Sequence, residues 1–403
     1  MEFVHLFTKI IIKFILHIYW IFPVKKNRIS LLNELSFTYG DSLKYINEYI
    51  KTNCPGKYEV IFPIRNTEEK YDSSVITVYP MSLKYFYFLL TSMAIITNAG
   101  GISYLPIRKR QVVINTWHGG GPYKKTGTAL HKNKWYRYET KMNASNVDYV
   151  LSSCKYFTRY EAKAMLYSKE KCISSGMPRN DIFFEDRPWI RKKVFNYAGI
   201  DRNEKIVLYA PTFRNNSGNS ASPKELYLGD IDYFRVLQAL TQRFGGKWNF
   251  AIRLHPKLKN ADIGEESITN FTDYPDMQEL LYAADAVITD YSSLIWDYSF
   301  TQRPCFLYAD DIEQYEKERG FYMPIAKWPF PIAHNNDELE SNISFFDEED
   351  YTKKVLLHHK ESGSFEHGCA CKMTIDLIEK NCKTDVNLVN KIMRRKGKCL
   401  CIM

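Results

Sequence analysis

The chain has 403 residues, with 55 Lys and Arg against 46 Asp and Glu for a formal net charge of +9, and at about 150 residues per domain that length suits two domains. Hydrophobic residues at 45% and charged residues at 25% are the proportions of an ordinary folded protein, which excludes a disulfide-stapled mini-protein and a disordered chain. Nine cysteines in no regular framework, with no small-residue cleavage site after the first apolar run, fit a reducing compartment.

That first run covers residues 3–24. Lys9 and Lys13 interrupt it, and each costs about 2.5–3.5 kcal/mol at a bilayer centre, which disfavours a spanning helix. Turned by about 100° per residue, Glu2, His5, Lys9 and Lys13 form one stripe, while Phe3, Leu6, Ile10, Phe14, Ile18 and Ile21 cover much of the remainder. This is the pattern of a helix lying in a membrane interface. Tyr19, Trp20 and Phe22, followed by Lys25, Lys26 and Arg28, read as an aromatic belt beside anionic headgroups. A basic tail with Lys391, Arg394, Arg395, Lys396 and Lys398 supports the same expectation.

Beyond it, short β-branched and aromatic runs alternate with longer amphipathic stretches. Strands are expected at 58–62, 75–79, 94–97, 112–115 and 149–152, and again at 206–210, 250–254, 286–289 and 305–307. Strands alternating with helices predict an open α/β sheet in each half. The charged stretch around Pro188 places the boundary between them.

In open α/β sheets ligands bind beyond the carboxyl ends of the strands, so the loops there carry the candidate chemistry. After the 112–115 strand comes Trp117-His118-Gly119-Gly120-Gly121-Pro122-Tyr123-Lys124-Lys125. Its glycines let backbone amides approach an anion, its lysines supply charge and His118 is a proton acceptor. A tight turn with a solvated lysine pair is the plain alternative. Arg253-Leu254-His255-Pro256 ends a strand on a histidine, which a backbone-satisfied core residue would equally explain. Asp290-Tyr291-Ser292-Ser293 places paired hydroxyls where a strand passes into a helix, suited either to capping or to a phosphate. His367, Cys369 and Cys371 lack the second spaced pair of a soft-metal site, and no metal is expected.

Together with Tyr209-Ala210-Pro211-Thr212-Phe213-Arg214 and Gly176-Met177-Pro178-Arg179-Asn180-Asp181, these segments resemble the CDP-glycerol glycerophosphotransferase family of teichoic acid primases, polymerases and related capsule enzymes. Family members often read Trp-His-Gly-Thr-Pro in the first loop, whereas three glycines precede Pro122 here. The resemblance implies a GT-B architecture: an amphipathic membrane-associating helix (1–26), then two Rossmann-like domains facing across a cleft, the acceptor side at 27–190 and the CDP-donor side at 191–350. C-terminal helices and the basic tail follow at 351–403.

The implied reaction transfers glycerol phosphate, or a related alditol phosphate, from CDP-glycerol or CDP-ribitol to a hydroxyl of a lipid-linked, polyprenyl-type acceptor, releasing CMP. His118 and His255 would be catalytic. Arg214, Glu279, Asp290, Ser292 and Ser293 would hold the donor, while Gly119, Gly120, Gly121, Lys124 and Lys125 would form a phosphate or acceptor loop. No cofactor beyond the donor is expected, and the implied location is peripheral, at the anionic cytoplasmic face of the membrane. The alternative is a GT-B sugar transferase using a CMP-sugar, such as a sialyl- or polysialyltransferase. Nucleic acid is not an expected partner, because no RNA- or DNA-binding signature is present and such binding leaves both histidines unexplained.

Overall fold

The computed structural model describes residues 2–66, 74–212, 230–254 and 267–382. They divide into two compact units, each built on one wholly parallel sheet. The first comprises residues up to Gly120, Lys125–Asp181 and the chain from Gly363 onward; the second comprises Gly121–Lys124 and Ile182–Ser362. The crossing thus falls at Asp181, ahead of the boundary read around Pro188, and the C-terminal helix Ala370–Cys382 belongs to the first unit rather than to a separate tail.

The first unit contains β1 (Lys25–Leu32), β2 (Glu59–Pro63), β3 (Val75–Val78), β4 (Ser92–Thr97), β5 (Val112–Asn115), β6 (Tyr149–Ser152) and β7 (Cys172–Ser174), in the spatial order β3-β2-β1-β4-β5-β6-β7. All six residues of β4, and all four in each of β5 and β6, are buried. Burial on both faces is why they read as continuous apolar runs. β1 is an inner strand, between β2 and β4.

β1 corrects the membrane reading of Arg28. Its guanidinium is 1% exposed, donates from Nε to Glu59 Oε2 at 2.7 Å and from Nη1 to Thr91 Oγ1 at 2.5 Å, and lies over the Tyr87 and Phe88 rings. Arg28 is therefore a core cation, and only Lys25 and Lys26 remain on the surface.

The segment Gly176–Asp181 is a connector. Asp181 accepts from the Ala370 and Cys371 amides at 3.0 and 2.8 Å, so its carboxylate caps the C-terminal helix. Glu366 accepts from the Met177 amide at 2.9 Å and from Asn180 Nδ2 at 3.0 Å.

The amino-terminal helix Glu2–Leu16 continues into a 3₁₀ turn, His17–Ile21. Leu6 and Leu16 are buried, and Lys9 on the same side pairs with Glu139. Lys9 thus faces the protein, and the surface left outward includes Val4, Phe7, Ile10, Ile11, Phe14, Ile15, Ile18 and Ile21. Arg108 holds the turn by donating to the Phe22 and Tyr19 carbonyls at 2.7 and 2.6 Å, and Trp20 Nε1 donates to the Pro106 carbonyl at 2.9 Å. Val4–Ile21 is long and apolar enough to cross a membrane by length and composition, with 11% of it buried.

The second unit contains β8 (Lys205–Tyr209), β9 (Trp248–Ile252), β10 (Thr269–Asn270), β11 (Ala286–Thr289), β12 (Cys305–Tyr308) and β13 (Ile332–Ala333), ordered β10-β9-β8-β11-β12-β13. Trp296 is fully buried, edge-on to Phe300 and His359. Tyr123 hydrogen-bonds His358 Nε2 at 3.0 Å, and Ser299 bonds His359 Nε2 at 2.6 Å. Burial pushes both imidazoles down to about 4, so they are neutral core groups at pH 7.

Candidate functional site

In the first sheet the strand order reverses between β1 and β4, and the loops at such a switch point form a ready ligand crevice. The β5 loop delivers His118 there. Asn115 Oδ1 accepts from the Trp117 amide at 2.8 Å, and Trp117 takes a left-handed φ of 57°. A bulky residue rarely adopts that conformation, which costs about 1–3 kcal/mol and collects at functional loops. The strain turns His118 out of the strand direction.

His118 Nδ1 lies 2.9 Å from the Asn98 carbonyl oxygen. A carbonyl can only accept, so Nδ1 carries a proton, and in the neutral ring Nε2 is then the basic nitrogen. Around this contact runs a ring of hydrogen bonds. Asn98 Nδ2 donates to Asn33 Oδ1 at 2.9 Å and to Asp41 Oδ2 at 2.6 Å. Arg179 Nη1 donates to Asp41 Oδ1 at 3.2 Å and to the His118 carbonyl at 2.8 Å. The site can therefore take a proton at one defined nitrogen, held by groups from three strand-end loops.

Beside the ring, Glu34 accepts from the Thr97 hydroxyl and, at 3.1 Å, from the Gly100 amide. Burial raises its pKa above the usual carboxylate value against those hydrogen bonds. A Cβ at Gly101 would lie 2.5 Å from Glu34 Oε2, so a larger residue there requires the Glu34 carboxylate to shift. Asn33, Glu34, Asp41 and Asn98 were absent from the sequence-derived site. Asn98-Ala99-Gly100-Gly101 directly after a strand was a signal of the same kind as the His118 loop.

The glycine run is divided between the units. Gly120 offers its carbonyl to Ser153 Oγ at 2.5 Å in the first. Gly121 belongs to the second, where a Cβ would lie 2.9 Å from the Trp296 Cβ. Gly119, Gly120 and Gly121 are not among the positive-φ glycines, and at Gly121 it is the close approach that calls for glycine. Lys124 bridges to Phe321 in the second unit, while Lys125 is exposed in the first.

In the second sheet the reversal lies between β8 and β11. Asp290, at the end of β11, accepts from the Thr212 amide and hydroxyl at 2.9 and 2.5 Å and from the Tyr291 amide at 2.6 Å, which ties the loop after β8 to the loop after β11. Ser292 Oγ accepts from the Leu294 amide at 3.4 Å, and Ser293, at the cap of helix Leu294–Ser299, makes no side-chain cap bond. Both hydroxyls therefore stand at a helix start that suits an anion.

Glu279 is 3% exposed, and its oxygens accept from Lys193 Nζ at 3.0 and 2.8 Å and from the Tyr274 hydroxyl at 2.5 Å. Its carboxylate is engaged within the unit. Arg253, just past β9, has a buried Nη1 with no partner among the described residues, and burial lowers its pKa. An unpaired buried guanidinium nitrogen is expensive, so this one suits an anionic ligand. Arg214 and His255 lie outside the described residues. No group of three or more His, Cys, Asp or Glu that could hold a metal occurs among the described residues.

Comparison with known proteins adds the chemistry. The family model of CDP-glycerol:poly(glycerophosphate) glycerophosphotransferases matches residues 14–380. A teichoic acid poly(glycerol phosphate) polymerase of Staphylococcus epidermidis is 29% identical over 86% of this chain and 49% of its own length. A teichoic acid glycerol-phosphate transferase of Staphylococcus aureus is 27% identical over 85% of this chain and 90% of its own. The solved wall teichoic acid polymerase TagF is 26% identical with a TM-score of 0.79, over 95% of this chain and 97% of that one. A variant of it soaked with CDPG matches at a TM-score of 0.80, with 26% identity and the same coverage. The chain spans about half the length of the first curated relatives it matches, 49% and 46%. On the family match over residues 14–380, the chain belongs to the CDP-glycerol:poly(glycerophosphate) glycerophosphotransferase family.

Proposed function

We propose that the protein transfers glycerol phosphate from CDP-glycerol to a hydroxyl of a lipid-linked acceptor, releasing CMP, as a step in teichoic acid or capsule-type polymer synthesis. The observation that carries this reading is His118 at the switch point of the first sheet, with Nδ1 committed to the Asn98 carbonyl, which in the neutral ring makes Nε2 the basic nitrogen. The acceptor oxygen attacks the glycerol-bearing phosphorus. A new P–O bond forms, the bond from that phosphorus to the bridging oxygen of the diphosphate breaks, and the electron pair leaves with CMP. The acceptor proton passes to His118 Nε2 as the oxygen attacks.

The second unit's strand-end groups suit the CDP moiety. Ser292 and Ser293 offer hydroxyls at a helix start, and Arg253 offers a buried nitrogen with no partner among the described residues. Donors placed in advance stabilise the charge that develops on the leaving group. His255 and Arg214 are assigned to the same task from the family resemblance. The test is nucleotide release by the purified protein from CDP-glycerol, CDP-ribitol and CMP-sialic acid with a bacterial lipid extract as acceptor. CMP release from CDP-glycerol is expected; release from CMP-sialic acid alone would overturn the reading.

Attachment to the anionic cytoplasmic face of the membrane is part of the same proposal. Phe14, Ile18 and Ile21 are 80%, 65% and 74% exposed, and Leu83, 78% exposed, extends the apolar surface beyond the turn. Lys25, Lys26, Lys84, Lys109 and Arg110 are exposed cations of the same unit. Each large apolar side chain buried in lipid contributes about 1.5–3 kcal/mol. The double variant Phe14→Glu, Ile18→Glu is therefore expected to lose binding to anionic vesicles by about 100-fold or more while keeping its melting temperature. Co-sedimentation with vesicles reads the first and thermal unfolding the second.

A further inference from the structure

We infer that Asp41 is a positioning residue for His118: through Asn98 on one side and Arg179 on the other, its carboxylate fixes the ring orientation and holds the proton on Nδ1. The inference rests on the reading of His118 as the base, and concerns what keeps that base in one form. Asp41 takes a left-handed φ of 57°, at the start of helix Asp41–Asn53. That uncommon backbone turns its carboxylate back over the ends of β1 and β4. Its oxygens are divided: Oδ2 accepts from Asn98 Nδ2 at 2.6 Å, while Oδ1 accepts from the Ser42 amide at 2.8 Å and Arg179 Nη1 at 3.2 Å.

Asn98 is buried and held on every side. Its amide nitrogen bonds Asp41 and Asn33, and its Oδ1 accepts from the Glu34 amide at 3.1 Å. A side chain so restrained fixes its own backbone, and with it the carbonyl that meets His118 Nδ1. From the other side, Arg179 grips the His118 carbonyl. The imidazole and the peptide that carries it are thus held through one carboxylate. Without that restraint an imidazole exchanges protons between its nitrogens, and every molecule with the proton on Nε2 has no base aimed at the acceptor.

Asp41→Asn tests this with little change in volume. An amide in this place sets a donor against Asn98 Nδ2, or, flipped, against Arg179 and the Ser42 amide, so at least one bond of the ring is lost in either orientation. The readout is the long-range ¹H–¹⁵N spectrum of the full chain labelled at histidine, with the His118 signals identified by their absence in His118→Gln. The wild type is expected to show a single tautomer protonated at Nδ1. Asp41→Asn is expected to show averaging between tautomers, with kcat for CDP-glycerol lower by about 10-fold or more. Donor KM should stay within about two-fold, because the reduced step is proton removal and not donor binding.

Arg179→Gln removes the other arm of the ring and gives the same readout if Asp41→Asn does not fold. An unchanged Nδ1–H tautomer in a folded variant would overturn the inference. A shifted tautomer with undiminished kcat would leave the positioning intact and remove His118 from the chemistry, so the two claims fail separately.

Discussion

His118→Ala is expected to lower kcat for CMP release by about 10²–10⁴-fold, the span that a well-placed general base contributes. The protein should remain folded, because the side chain is only part-buried, and among what it gives up is the hydrogen bond from its ring to the Asn98 carbonyl. Losing such a bond costs about 1 kcal/mol. The ring also lies 4.3 Å from the Trp117 ring at a tilt of 30°, so some packing goes with it. Turnover and thermal unfolding of the same preparation separate the two effects. A folded variant turning over within about three-fold of wild type would mean that the acceptor oxygen loses its proton elsewhere.

The restriction of the proton to Nδ1 sharpens this expectation. His118→Gln retains a group able to bond the Asn98 carbonyl through its amide nitrogen, but its oxygen is a very poor base. It should hold the loop more nearly in place and still lose most turnover, which a purely positional role for the histidine would not produce.

Much of this site could be read in the sequence because its position follows from strand ends. The runs at 112–115, 149–152 and 286–289 coincide with β5, β6 and β11, since strands buried on both faces leave uninterrupted apolar stretches. Placing those strands placed His118 and the Asp290–Ser293 loop. What could not be read was the partnering. Asp41 meets Asn98 across 57 residues and Arg179 across 138, and no local pattern announces such a pair. Asp290 was visible as a polar residue at a strand end, but its bonds to Thr212 lie 78 residues away. The pairing of Glu279 with Lys193, 86 residues away, was hidden for the same reason. β7, β10 and β13, of three, two and two residues, are too short to give a period at all.

β1 was hidden for another reason. Its first residues, Lys25, Lys26, Asn27 and Arg28, have the composition of a membrane-proximal basic cluster, and the sequence does not say that Arg28 turns inward. The difference is measurable. A headgroup-facing Arg28 predicts that Arg28→Ala weakens binding to anionic vesicles and leaves the melting temperature alone. The structure predicts the opposite. Arg28→Ala removes the side chain of a 1%-exposed residue, opens a cavity under Tyr87 and Phe88, and leaves Glu59 with only the more distant Lys25, at 3.9 Å, and Thr91 with only its bonds to backbone carbonyls.

Breaking a buried pair from one side costs about 3–5 kcal/mol. The Glu59 side chain is 27% exposed, so water recovers part of the carboxylate's loss and the lower end of that range applies. Glu59→Gln should cost more than an exposed pair would, because it leaves Arg28 buried with only neutral partners. Proton linkage gives a second signature. Arg28 holds the Glu59 carboxyl below its usual pKa, chiefly by hydrogen bonding. The unfolded chain therefore takes up the proton first as pH falls, and the stability from the pair is present above the ordinary carboxylate value and lost on acidification through the lowered one. In Arg28→Ala that component of the acid-side slope should disappear from the unfolding free energy, while vesicle binding at neutral pH stays as in the wild type.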